Sequence, residues 1–229
     1  METLVTVKVS VVLCPIMTDI DQKERIKQAA HDLVMKYSIR SVSMDDIAAS
    51  VGMSKKTLYQ YYKDKDELVK AVIDSVIESN RCKCDLHVEQ ADNAVHEIFL
   101  AMEMMVEMFK TMNPAILYEM QKYHPEAHQH FQQHKMQYLL GHVGKNIERG
   151  IAEELYRPEI NVNILAKFRI ESMFIPFHPE FHQSLGKYTL IEIEEQIITN
   201  FLFGLVTQKG YKLALRYMAQ KEKIIINNK

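Results

Sequence analysis

The sequence predicts an all-α protein, and three observations predict it. Only 7 glycines and 6 prolines occur in 229 residues, too few for a turn-rich β protein. Met, Leu, Ile, Glu, Lys and Gln, all good helix formers, are abundant. Helix-start and helix-stop signals recur along the chain, most densely between Ser43 and Leu68.

That stretch reads as two short helices joined by a glycine turn, a tyrosine-rich continuation, and a third helix. Ser43 can cap the first helix while Asp46, at its third position, reaches back, a capping-box variant with Asp in place of Glu. Ile47, Ala48 and Val51 then fall at helical spacing and give one apolar face. Gly52 follows, where a left-handed residue is least costly. Ser54 can cap the second helix, whose first residues are Lys55, Lys56 and Thr57. Asp64 and Glu67 form a second capping box that opens the third helix. The arrangement is a helix-turn-helix, in which the first turn of the second helix reaches base edges in the DNA major groove.

Charge points to the same face. Lys55, Lys56, Lys63 and Lys65 stand against Asp64 alone between Met53 and Lys65. Ammonium and tyrosine hydroxyl groups suit phosphates, which set register on the duplex without reading sequence. At 100° per residue, Tyr59, Tyr61 and Tyr62 cannot all face DNA. Tyr62 is assigned to the core, and Tyr59 and Tyr61 to backbone contacts.

The run from Gln22 to Val72 resembles the DNA-binding domain of TetR/AcrR-type transcriptional regulators. The matching residues are Ala29 and Leu33, Ser43-Met44-Asp45-Asp46-Ile47-Ala48, Val51-Gly52-Met53-Ser54, Thr57-Leu58-Tyr59, Tyr61-Tyr62-Lys63 and Lys65-Asp66-Glu67-Leu68. Ser38 and Lys56 stand where that family often carries glycine. The resemblance implies a DNA-binding set of Ser43, Met44, Ser54, Lys55, Lys56, Thr57, Tyr59, Tyr61 and Lys65. It also implies a larger helical domain for ligand binding and dimerisation. Residues 17–72 form the expected DNA-binding domain and residues 73–229 the second.

Composition sets bounds. Hydrophobic residues make up 47% of the chain, enough for a real core, and the net charge is -2. Positive charge is therefore local, and DNA binding is the task of one face. The odd set Cys14, Cys82 and Cys84 is no disulfide framework and fits a reducing cytoplasm. No segment approaches 18 uncharged apolar residues, so no membrane partner is expected. In residues 1–16, Val5, Val7, Val9 and Val11 alternate with polar residues, a strand pattern. Met17 is read as the natural start and residues 1–16 as an extension, with a strand-forming arm as the alternative.

Beyond Asn80 the chain stays helical. Ala91–Met112 is the clearest helix: His96, Glu103, Glu107 and Lys110 lie within about 60° of one another and nearly everything else is apolar. So narrow a polar stripe marks a helix buried on most sides. Pro114–Tyr123 and Pro125–Gly150 follow, each opened by proline. Asn161 caps a helix to Phe174, and the Ile175–Pro179 run breaks it. Leu190–Val206 is the last long helix, before a short terminal one.

Sites in this part are expectations. The pocket, for a small apolar or amphipathic ligand, is placed among Phe99, Met102, Met105, Val106, Tyr118, Met136, Tyr138 and Phe168. His96 or Glu103 would supply a polar group. Flexible Met side chains suit such a pocket and equally suit an ordinary core. The resemblance places a four-helix dimer interface on Asn161–Phe174 and Leu190–Val206, with Ile193, Ile197, Phe201, Leu202 and Leu205 as the seam and Gly204 allowing close approach. His124, His128, His130 and His134 cannot converge from one helix, because His128 and His130 are about 200° apart, so no metal is assigned. Cys82-Lys83-Cys84 with His87 reads as a helix junction that carries thiols.

The expected protein is thus a cytoplasmic, homodimeric repressor, released from a palindromic operator in double-stranded DNA by a small molecule, with no cofactor. The alternative is a regulator of the same fold that answers to no small molecule. An enzyme is disfavoured: no Gly-rich phosphate loop, Ser-His-acid order or strong metal spacing occurs.

Overall fold

A computed structural model describes residues 15–227. Most of the 1–16 extension therefore lies outside the described residues. Twelve α-helices follow one another among the described residues, with one isolated bridge, Tyr156 to Val206.

The first unit is built from α1 (Pro15–Tyr37), α2 (Met44–Val51), α3 (Lys55–Tyr61) and α4 (Lys65–Gln90). Their apolar faces meet in a core that includes Ile26, Val34, Ile39, Ile47, Leu58, Tyr62, Leu68 and Val72. The same core takes in Ile116, Met120 and Ala127 from the later chain. Helix α4 carries no Gly or Pro and runs unbroken through residue 72. The expected boundary at residues 72 and 73 therefore falls inside this helix.

The second unit contains α5 (Ala94–Phe109), α6 (Ile116–Tyr123), α7 (Pro125–His134), α8 (Leu140–Ala152), α9 (Val162–Phe174), α10 (Pro179–Ser184), α11 (Leu190–Leu205) and α12 (Gln208–Asn227). Asn93 caps α5 by accepting from the His96 amide. Helices α7 and α8 are joined without a break by a π-helical turn, Lys135–Leu139, where the sequence predicts one regular helix. The terminal helix α12 has 20 residues and is not short.

Most other buried apolar residues of this unit divide between two clusters. Phe99, Met102, Ile147, Tyr156, Ile198, Phe201, Leu202 and Leu205 belong to one. Met105, Phe109, Phe177 and Leu190 belong to the other. Close approach holds the first together: a Cβ on Gly150 would lie 2.1 Å from the Tyr156 ring. The Tyr156 hydroxyl in turn donates to the Ala94 carbonyl at 3.0 Å.

The units are pinned along one seam. Asp66, Lys70 and Asp74 recur every four residues on α4 and so share a face. Asp66 meets His124 at 2.5 Å, Lys70 meets Glu126 at 3.4 Å, and Asp74 meets His130 at 3.0 Å. A further tie joins the Arg40 amide to Glu119 at 2.8 Å.

Candidate DNA-binding site and effector cleft

The helix-turn-helix is held by its caps. Ser43 accepts from the Asp46 amide at 3.2 Å, and Asp46 accepts from the Ser43 amide at 2.8 Å. The hydrogen bonds from Ser43 hold the Asp46 carboxyl below its ordinary range. Gly52 takes φ 73°, in the left-handed region, and turns the chain into α3. Ser54 caps α3 through the Thr57 amide at 3.1 Å. Ser38 also sits at positive φ, 82°. That explains why glycine is frequent at this position in the resembled family.

The structure sorts the expected DNA-binding residues into groups. Ser54, Lys55, Lys56 and Tyr59 are exposed on or next to α3. Lys55 is held by Asp45 at 2.8 Å, which orients its ammonium and raises its pKa. Thr57 bonds to the Ser54 hydroxyl at 2.8 Å. Tyr61 is half-buried and packs against the core, and Tyr62 is buried as expected.

One of these residues needs correction, and another has a tie within the protein. Met44 is only 6% exposed; its side chain fills the core, so only its backbone could face a phosphate. Lys65 donates to the Ile39 carbonyl at 2.6 Å, and burial lowers its pKa. Its ammonium ties α4 to the loop before α2.

The expected pocket is not assembled. Phe99 and Met102 pack in one cluster, and Met105 and Val106 in or against the other. Tyr118 and Phe168 are 44% and 55% exposed, and Phe168 lies against Phe201 with ring centroids 6.4 Å apart. Glu103 is exposed. His96 accepts from the Asp92 amide at 3.2 Å and stacks on Tyr217. The Met136 thioether lies 3.3 Å from the Lys167 ammonium. Helical periodicity placed these residues on apolar faces, but not on the same one.

Tyr138 alone of the set lines a cleft of about 430 Å³ between α4 and the α7–π turn, together with Asp74, Ile77, Arg81, His130 and His134. The Tyr138 hydroxyl donates to Asp85 at 2.7 Å; burial and that bond keep it protonated. His134 stacks on Tyr138 at 5.2 Å, and its pKa is lowered by burial and then by Arg81.

The expected dimer seam is also corrected. Ile193, Phe201, Leu202 and Leu205 are all buried within their own subunit, and Ile197 is half-buried. The exposed apolar groups nearby are Ile164 and Phe168, 64% and 55% exposed, one turn apart on α9. Sequence periodicity marks α11 as apolar but does not say which half of its apolar circumference the parent core consumes.

A buried ion pair went unnoticed in the sequence. Arg169 of α9 and Glu194 of α11 approach to 2.6 Å, with side chains 8% and 0% exposed. The contact is close, but its alignment leaves Arg169 Nη1 and both Glu194 oxygens without a well-formed hydrogen bond. Burial pushes the Glu194 carboxyl up to about 7 despite the guanidinium.

The histidines have separate partners, and no group of three or more His, Cys, Asp and Glu among the described residues could hold a metal. Cys84 is buried, its thiol pushed up to about 11 by burial. That is the opposite of an activated thiolate. No helix among the described residues is long and apolar enough to cross a membrane.

A capped helix-turn-helix with exposed lysines, mounted on an all-helical second unit, defines a DNA-binding transcriptional regulator. Residues 26–72 match the model of the bacterial regulatory proteins of the tetR family, so this segment is a TetR-type DNA-binding domain. It is 34% identical over 88 residues to the uncharacterised HTH-type transcriptional regulator YvaF of Bacillus subtilis, covering 38% of this chain and 46% of that protein. With YhgD of the same organism, also an uncharacterised HTH-type regulator, identity is 24% over 188 residues, 80% of this chain and 97% of the other. A TetR-family regulator from Agrobacterium tumefaciens shares the fold at TM-score 0.70 and 15% identity, over 82% of this chain and 100% of that one.

Proposed function

We propose that the chain acts as a homodimeric repressor that leaves a palindromic operator when a small molecule binds its second unit. The observation that carries this reading is the continuous helix α4. It begins beside the helix-turn-helix and is clasped by α7 through the Asp66–His124, Lys70–Glu126 and Asp74–His130 pairs. A shift of α7 is thereby transmitted to the recognition helix α3, whose placement must match half-sites about 34–36 Å apart. Ligand and operator then act on one equilibrium, and each weakens the other by the same factor.

Dimerisation is assigned to the α9–α11 face. Ile164 and Phe168 are its exposed apolar groups, and the exposed Gly204 has open space where a Cβ would stand. Two such units together bind a palindrome far better than one.

The test joins an oligomer measurement to a DNA titration. The Ile164→Glu, Phe168→Glu double variant is expected to sediment as a monomer and to lose at least a hundredfold in operator affinity. A variant that remains a dimer moves the interface elsewhere. A monomer with undiminished affinity overturns the two-half-site reading.

A further inference from the structure

We propose that the cleft between α4 and the α7–π turn receives a planar organic carboxylate, with Arg81 as its cation; this deepens the induction reading above and rests on it. Walls and charges both point there. The π turn (Lys135–Leu139) belongs to a rare class of helix irregularity that is frequent at functional sites, and it lies directly beside the cleft. The His134 and Tyr138 rings, stacked on each other 15° from parallel, line it together. Ile77 contributes an apolar surface. Gln133 and Gln137 add amide groups, so a ligand that joins an aromatic body to a polar end matches this mixed lining.

The charges decide the polar end. The acids around the cleft are already engaged: Asp74 by His130 at 3.0 Å and Asp85 by the Tyr138 hydroxyl at 2.7 Å. Arg81 is different. Its guanidinium packs over the Tyr138 ring at 4.9 Å, and its ion-pair partner Glu78 stands off at 3.9 Å. At that distance Glu78 accepts no hydrogen bond from the guanidinium. A carboxylate accepts from such a planar fork through two parallel hydrogen bonds, whereas a neutral amide cannot. Inside the cleft it also competes with Asp74 for the His130 ring. The last rung between α4 and α7 is then loosened.

The chain contains no tryptophan, so naphthoate fluorescence can be followed directly. Benzoate, 2-naphthoate and 4-biphenylcarboxylate are titrated into the full protein, with 2-naphthamide as the neutral match. At least one carboxylate is expected to bind, and Arg81→Gln to weaken it by about ten- to a hundredfold. Arg81 is an exposed residue, so the variant is expected to fold, and an unchanged melting temperature checks this. The proposal is overturned if none of the carboxylates binds, if the amide binds as well, or if Arg81→Gln leaves affinity unchanged. A carboxylate that binds through Arg81 yet leaves operator affinity unaltered supports the cleft and instead overturns the induction reading.

Discussion

The helix-turn-helix and the α5–α11 unit are built by different means. In the first, local signals do the work: Ser43, Ser54 and Asp64 cap three successive helices, and Gly52 turns the chain at φ 73°. In the second, the decisive features join residues far apart. Gly150 is pressed against Tyr156, Tyr156 reaches Ala94, and Arg169 meets Glu194. The first unit needs one fixed shape to lie on DNA. The second holds features associated with change, among them a buried, imperfectly bonded ion pair and a π turn beside a cleft.

Glycine substitutions should give the largest contrast. Gly150→Ala drives a methyl into the buried Tyr156 ring and is expected to destabilise by about 3 kcal/mol in urea unfolding. Gly52→Ala meets open space and bears only the left-handed backbone cost of about 1–2 kcal/mol. If Gly52→Ala proves the more damaging, tertiary close approach is not what distinguishes the second unit.

Removing the cap at Ser43 comes next. Ser43→Ala loses the two hydroxyl bonds with Asp46, while the backbone amide still donates to the Asp46 carboxylate, and is expected to cost about 1 kcal/mol of stability. Operator affinity should fall as well, because α2 loses its fixed start. A variant with unchanged unfolding midpoint and unchanged affinity would show that local capping does not govern this unit.

The buried pair gives the second unit a pH signature. The Glu194 carboxyl titrates near 7 when folded, above the ordinary value of 4.5. The folded state therefore binds more protons between those limits. Its stabilising contribution is complete below the ordinary value and is lost as pH rises through about 7. Glu194→Gln is expected to flatten that decline in unfolding midpoints measured across this window. An unchanged slope would mean that the pair stays ionised throughout.

Lys65 gives the smallest effect and the finest test. Its ammonium is occupied by the Ile39 carbonyl, so Lys65→Ala should cost about 1 kcal/mol of stability. The salt dependence of operator binding should change by less than one phosphate contact. A full one-phosphate change would return Lys65 to the DNA interface.

How much was legible follows from these cases. Caps and turns are written in residues within four positions of one another, and α2, α3 and the start of α4 were read from them directly. Tyr62 is legible as a core residue because angular spacing keeps the three tyrosines from all facing DNA and Tyr62 stands in the place of an apolar residue; it is 2% exposed. Met44 shows the limit. It lies at the helix start, where the resemblance implies DNA contact, yet its side chain turns inward. The cleft at Arg81 could have been suspected from neither motif nor periodicity, since α4 and the π turn meet only in space.

The sequence by itself determined the helical class, the placement of the caps, the glycine turn and the TetR-type character of the DNA-binding segment. Each rests on short-range backbone chemistry that a few residues specify. Only the tertiary structure decided which apolar residues share a cluster, which stay exposed on α9, and that Arg169 and Glu194 are buried together. An apolar periodicity specifies that a face must be covered, not what covers it. That is settled by long-range packing, in which Leu202 and Leu205 serve their own core and Ile164 and Phe168 remain outside.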